Sequence, residues 1–176
     1  MSIDEQQAIA DEVLKRLAVF DPYAIVAGGA PRDWYLGMKA NDIDVFINFN
    51  SIYTQTTLRG ILRSLGFDAK PLEFNAKAKD YKLNPHLKWV FDVKGFEYPV
   101  QLIFVNNNTF KTIDTFPLDI CKIWYKTERG IVPTKAFKEA VETRTITKCN
   151  PIYADEQHYI KKIRERFRDY RYKESP

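Results

Sequence analysis

Apolar residues return every fourth position near the start of the chain, at Ile9, Val13 and Leu17 with Ala10 and Leu14 beside them. This is the period of a helix laying one stripe on a core, and it predicts a helix over residues 4–18. The pattern then shortens. Residues 23–27 form a compact apolar run, Gly28-Gly29 ends it, and Pro31 suits the first turn of a second helix reaching about Leu36. From Asp42 to Phe49 the period becomes two: Ile43, Val45 and Ile47 share one face of a strand, and Asp42, Asp44 and Phe46 share the other.

Further along, residues 57–65 read as a helix stopped by Gly66. Residues 68–87 show no clear period and read as loop or insertion. The runs WVFDV and YPVQLIFV flank Lys-Gly-Phe-Glu, a hairpin signal. Residues 118–125 read as a strand, Glu128-Arg129-Gly130 as a turn, and residues 134–143 as a helix with Thr134 at its N-cap. Tyr159, Ile160, Ile163, Phe167 and Tyr170 form one stripe of a last helix over residues 155–172, whose other surface carries Lys161, Lys162, Arg164, Arg168 and Arg171. The order of elements predicts an α/β (α+β) chain with a mixed β-sheet flanked by helices. Residues 1–150 form the body, and residues 151–176 a basic amphipathic C-terminal helix packed on it.

At 176 residues and 45% apolar composition the chain can bury a core without disulfides or structural metal. Cys121 and Cys149 have no metal-ligand spacing and are expected to be buried thiols. No run is long enough to span a bilayer and the first residues lack signal-peptide character, so the expectation is a cytoplasmic protein with no membrane association. The net charge of +4 is localised: residues 157–176 hold seven Lys/Arg against three Asp/Glu, and the preceding 156 residues carry 20 of each sign. A neutral body with a basic end suits contact with phosphates, and equally a solvated surface. His86 and His158 lack partners in local sequence and are read as surface or packing residues.

The chemistry concentrates in AGGAPRDWYLGMKANDIDVFI. Two aspartates two apart on a strand aim their carboxylates the same way, about 6–7 Å apart along the backbone, where hard oxygens favour Mg2+ or Mn2+. A glycine turn entering a helix lets phosphates approach the backbone. Arg32 stands within reach of either phosphates or aspartates, and Asp33 beside it could position it.

The order GG-x-x-RD, eight residues, then D-x-D entering an apolar strand resembles the nucleotidyltransferase superfamily (DNA polymerase beta-like), in particular the head domain of CCA-adding enzymes and bacterial poly(A) polymerases. The resemblance is most specific over residues 24–47 and extends more weakly to FPLDICKIWYKTERGIVPTKAFKEAVETRTI. It implies a minimal nucleotidyltransferase fold in which Asp42 and Asp44 are catalytic and hold the metal. It also implies that Gly28, Gly29, Arg32 and Asp33 bind an NTP such as ATP, and that an NMP passes to an acceptor. The basic end makes RNA, such as a tRNA end, the first acceptor to expect, and a protein hydroxyl the second.

Two departures from that family bear on activity. Its third metal carboxylate lies on the second hairpin strand, where this chain has Gln101 or Pro99; Glu97, on the same strand face by parity, is the substitute metal ligand, with Asp92 and Asp119 as other candidates. The family's helical regions beyond the head and its arginine-rich strand entry have no counterpart here, so an acceptor other than one for CCA synthesis is expected. The alternatives are a catalytically inactive member that binds nucleotide or a protein partner, and a sugar-nucleotide glycosyltransferase, which also uses D-x-D.

Overall fold

The computed structural model describes residues 1–48, 53–72, 84–106 and 108–175. Helix α1 (Ile3–Leu17) opens with a capping box: the Ser2 hydroxyl accepts from the Glu5 amide while the Glu5 side chain reaches back to Ser2. It buries Ala10, Val13, Leu14 and Leu17. Strand β1 (Ile25–Ala27) then leads through Gly28 into α2 (Gly29–Tyr35), and β2 (Ile43–Asn48) follows. Next come α3 (Gln55–Ser64), β3 (Asp68–Pro71), and the hairpin of β4 (Leu87–Lys94) and β5 (Val100–Val105).

Seven strands make one mixed sheet in the order β3-β4-β5-β2-β1-β6-β7, where β6 is Ile123–Lys126 and β7 Gly130–Pro133. Among the described strands of this sheet, only the β2–β5 pair is parallel. Because side chains alternate across a strand, β2 sends Ile43, Val45 and Ile47 into a core shared with Leu58 and Leu62 of α3 and the buried stripe of α1. Each such fully buried side chain contributes about 1.5–3 kcal/mol. Phe46, on the opposite face, packs with Ile25, Val90, Ile103 and Ile113, the last from α4 (Thr109–Asp114).

A third cluster builds the C-terminal part. A 3-10 turn (Asp119–Cys121), α5 (Lys135–Thr143), β8 (Thr145–Lys148) and α6 (Glu156–Arg166) bury Leu118, Ile120, Phe137, Ile146, Ile163 and Phe167 together. Parallel strands need a crossover, and α6 supplies it between β8 and β9 (Arg171–Glu174).

The main helices, the hairpin and the Thr134 cap stand as the pattern predicts. Several details differ. The last helix stops at Arg166, because Phe167 leaves helical geometry (φ −119°, ψ 59°) to bury its ring, and the chain then turns into β9. The expected strand over residues 118–125 divides into the 3-10 turn and β6. Part of the expected loop forms β3, while residues 73–83 of it lie outside the described residues. Cys121 is buried as expected, but Cys149 is exposed, since it lies beyond the end of β8.

Candidate active site

The two aspartates are delivered by a loop that α1 pins from below. Gln6 is fully buried; its side-chain amide donates to the Ala40 carbonyl at 3.2 Å, and its oxygen accepts from the Ala40 amide at 3.0 Å and from Trp34 Nε1 at 2.8 Å. Trp34 is thus a core residue, packed edge-on against Tyr125 with ring centroids 5.4 Å apart. The chain emerges from this anchor at Asn41 and enters β2 with Asp42 exposed and Asp44 half-buried.

Strand register then determines what faces them. Asp44 pairs with Gln101 of β5, and Gln101 pairs in turn with Asp92 of β4, so one rung crosses three strands. Gln101 donates from Nε2 to Asp92 Oδ1 at 2.8 Å. Gln101 thus puts a neutral amide on the strand rung next to Asp44, with its nitrogen tied to Asp92. Asp92 therefore belongs to the site at one remove.

Asp42, Asp44 and Gln101 line a cleft of about 430 Å³, within the size range of small-molecule sites. Thr112 and Phe116 form another wall, Ile152 and Tyr153 from the segment before α6 a third, and Tyr159 and Lys162 of α6 the last. The C-terminal helix is therefore a wall of the site as well as a surface. Tyr159 hydroxyl lies 3.9 Å from the Cys121 sulfur. Burial, reinforced by Cys121 and opposed by Arg32, pushes this phenol well above the usual tyrosine value, so it is a neutral wall group.

The remaining residues of the opening motif lie outside the described lining of the cleft. Gly28 adopts φ 82°, ψ −124°, a conformation that side-chain-bearing residues avoid, and its amide is already donated to the Ile123 carbonyl at 3.0 Å. That amide is thus committed within the fold; what Gly28 contributes is the chain reversal from β1 into α2. A β-carbon there would stand 3.8 Å from Phe116, a cleft residue. Gly29 is half-buried at the start of α2.

Arg32 and Asp33 are both buried. Arg32 donates from Nε to Asp33 Oδ1 at 2.8 Å and from a terminal nitrogen to the Cys121 sulfur at 3.6 Å, and its guanidinium sits 5.2 Å from the Phe167 ring centre. Burial works to lower its pKa, but Cys121, Asp33 and Tyr159 together hold it above the usual arginine value, so it stays charged. Asp33 Oδ2 accepts from Arg166 of α6 at 2.6 Å, and the same Arg166 nitrogen donates to the Lys39 carbonyl at 3.0 Å. The arginine-aspartate pair thus joins the glycine-turn helix to the C-terminal helix, and Arg32 reaches the cleft wall through Cys121 and Tyr159.

The other carboxylate candidates separate clearly. Glu97 lies in the exposed hairpin turn, three residues before β5 begins, because the strand starts only at Val100; it does not line the cleft. Asp119 accepts the backbone amides of Ile120 and Thr147 at 2.8 Å each, and so fastens the 3-10 turn to β8. Among the described residues no three His, Cys, Asp or Glu side chains cluster as a metal site. The carboxylates that line the cleft are Asp42 and Asp44, hard oxygen ligands of the kind Mg2+ accepts with retained water.

From sequence, Lys162 belongs to a basic face that could contact RNA, and Tyr159 to a stripe read as packing rather than base stacking. Their membership in the cleft depends on how α6 docks. The one local sign was spacing: Tyr159, Lys162, Ile163 and Arg166 fall at i, i+3, i+4 and i+7 and share a face.

A mixed sheet whose inner strand β2 carries Asp44, with Asp42 just before it, gives a fold shared with solved tRNA-processing and CCA-adding enzymes. Solved structures agree. A tRNA-processing enzyme in its apo form I superposes with TM-score 0.64 at 15% identity, over 95% of this chain and 43% of that one. The Thermotoga maritima CCA-adding enzyme complexed with tRNA gives 0.60 at 15% identity, over 97% and 40%. The Bacillus stearothermophilus CCA-adding enzyme in complex with CTP gives 0.55 at 17%, over 79% and 32%. The chain thus spans less than half the length of these proteins. No protein-family model and no curated protein matches the chain. No helix among the described residues is long and apolar enough to cross a membrane.

Proposed function

We propose that this chain is a divalent-metal-dependent nucleotidyltransferase that moves an NMP from an NTP to an RNA acceptor. The observation that carries the reading is the meeting of Asp42, Asp44 and Gln101 in one cleft, on a fold shared with CCA-adding enzymes. Asp42 and Asp44 are the residues that would hold Mg2+ (or Mn2+), with Gln101 lining the same cleft. When bound, the metal supplies charge neutralisation on the transferring phosphoryl group and on departing pyrophosphate.

The chain's own residues do the rest by positioning. Gln6 fixes the loop that delivers Asp42, and Asp92 fixes the Gln101 amide. Phe116, Ile152 and Tyr153 give the cleft an apolar side against which a base can lie. Gly28 and Gly29 turn the chain next to Phe116 of the cleft, and in this reading phosphates approach along that turn. Arg32 and Asp33 act on the nucleotide through the wall they hold, Tyr159 and α6. RNA is the acceptor supported by the basic C-terminal segment and by the fold's occurrence in enzymes solved with tRNA.

Incubation with α-labelled NTPs, Mg2+ and total RNA is expected to label an RNA band, and chelation or Asp44→Asn to abolish the label. Absence of label on RNA and protein alike, with wild type equal to Asp44→Asn, overturns the reading. One observation favours a second reading. Gln101 is an amide on the rung beside Asp44, where the resembling family carries a carboxylate; a site so altered would bind nucleotide without turnover. In that case NTP raises thermal stability by mass action and no transfer product forms.

A further inference from the structure

We infer that Lys162 of α6 binds the β- and γ-phosphates of the nucleotide, so that the C-terminal helix completes the triphosphate site. The inference rests on the nucleotidyltransferase reading and assigns a phosphate-contacting residue within it. Three observations lead there. Lys162 lines the same cleft as Asp42 and Asp44, and is the only Lys or Arg among the described residues that do so. Two carboxylates line the same cleft, and a polyanionic ligand lying beside them is held by fixed positive charge in addition to any metal. Finally, the stretch of helix bearing Lys162 is anchored on both sides.

The anchors explain why a long, exposed lysine could act as a site residue here. At the N-terminal end Asp155 accepts the His158 amide at 3.1 Å and Glu156 pairs with Lys148. Tyr159, one turn before Lys162, contacts the Cys121 sulfur. Arg166, one turn after it, is bound to Asp33, and Ile163 beside it is buried. With the backbone held at both neighbours, only the lysine stem has freedom left to lose on binding, which lowers the entropic cost of capturing phosphate. A lysine is a point-charge phosphate binder and tolerates a flexible triphosphate.

The test is calorimetric titration of ATP, ADP and AMP, with Mg2+ present, into the whole chain, its Lys162→Gln variant, and Lys135→Gln. Lys135 stands exposed on α5 and undergoes the same charge change outside the cleft. Lys162→Gln is expected to weaken ATP by about tenfold and AMP by less than about twofold, with ADP between, while Lys135→Gln leaves all three unchanged. Lys162 is exposed, so the thermal midpoint should not move. Unchanged ATP binding in Lys162→Gln overturns the assignment and leaves the nucleotidyltransferase reading in place. Equal losses for ATP and AMP, an equal loss in Lys135→Gln, or a loss confined to RNA binding also overturns it. A wild-type chain that binds no nucleotide removes the assignment and the function together.

Discussion

Replacing Asp33 by asparagine keeps the shape of the side chain and removes a charge held between two arginines. Asp33 accepts Arg32 at 2.8 Å and Arg166 at 2.6 Å, and its side chain is only 3% exposed. In the variant one oxygen becomes an amide donor facing a guanidinium donor, and the buried Arg32 loses its carboxylate. Breaking a buried ion pair from one side typically costs about 3–5 kcal/mol. Arg166 keeps the Lys39 carbonyl and remains partly in water, at 28% exposure, which places the expected loss at the lower end, about 3 kcal/mol. For a chain of this size that corresponds to a fall in Tm of about 6–12 °C. Arg166→Gln leaves the Arg32–Asp33 pair intact and should cost only about 1–2 kcal/mol. The two changes share a partner, so the double variant should fall short of the sum by about 1 kcal/mol or more. Urea denaturation of the four proteins, read by circular dichroism, measures all of these. An Asp33→Asn protein within about 0.5 kcal/mol of wild type, or Arg166→Gln as costly as Asp33→Asn, would refute the account of this pair as the joint between α2 and α6.

Two more expectations follow from local geometry. Gly28→Ala should lose about 1–3 kcal/mol from backbone strain alone, since the new β-carbon meets nothing closer than Phe116 at 3.8 Å, while Gly29→Ala, lacking that positive φ, should be near neutral; thermal unfolding of the pair decides it. Burial raises the Asp119 carboxyl above its usual value of 3.8, only partly offset by the Thr147 and Ile120 amides, so between the unfolded and folded values the native state holds more protons. The stabilisation this group gives is then full in acid and declines as pH rises from about 4 through its folded value, the reverse of an ordinary ion-paired aspartate; the difference in urea stability between wild type and Asp119→Asn across that range should trace this slope.

The legible parts of this molecule were those with a local cause. The α1 stripe, the alternation of β2 and the Thr134 cap each follow from side chains within a few residues of one another, and they stand where the period places them. The D-x-D was readable for a similar reason: alternation sets Asp44 opposite Ile43 and Val45, and Asp42, just before β2, lines the same cleft. The short elements β3, β7, β8 and β9 were not readable, because such four-residue pairings depend on the partner strand more than on their own composition. Glu97 shows the limit of parity, which orders faces but does not say where a strand begins.

What the amino-acid order determined by itself was the chemistry available: paired hard oxygens, a glycine reversal and a basic end. Which of these meet was decided by packing between residues far apart in the chain. Register across β2, β5 and β4 set Asp44, Gln101 and Asp92 on one rung, over separations that no local pattern encodes. Arg32 and Asp33, three and four residues after Gly29, join α2 to α6 through Arg166, which is 133 residues away from Asp33. That same docking put Lys162 on the lining of the cleft that holds the aspartates, because burying Ile163 and Phe167 fixes which side of the helix faces the body.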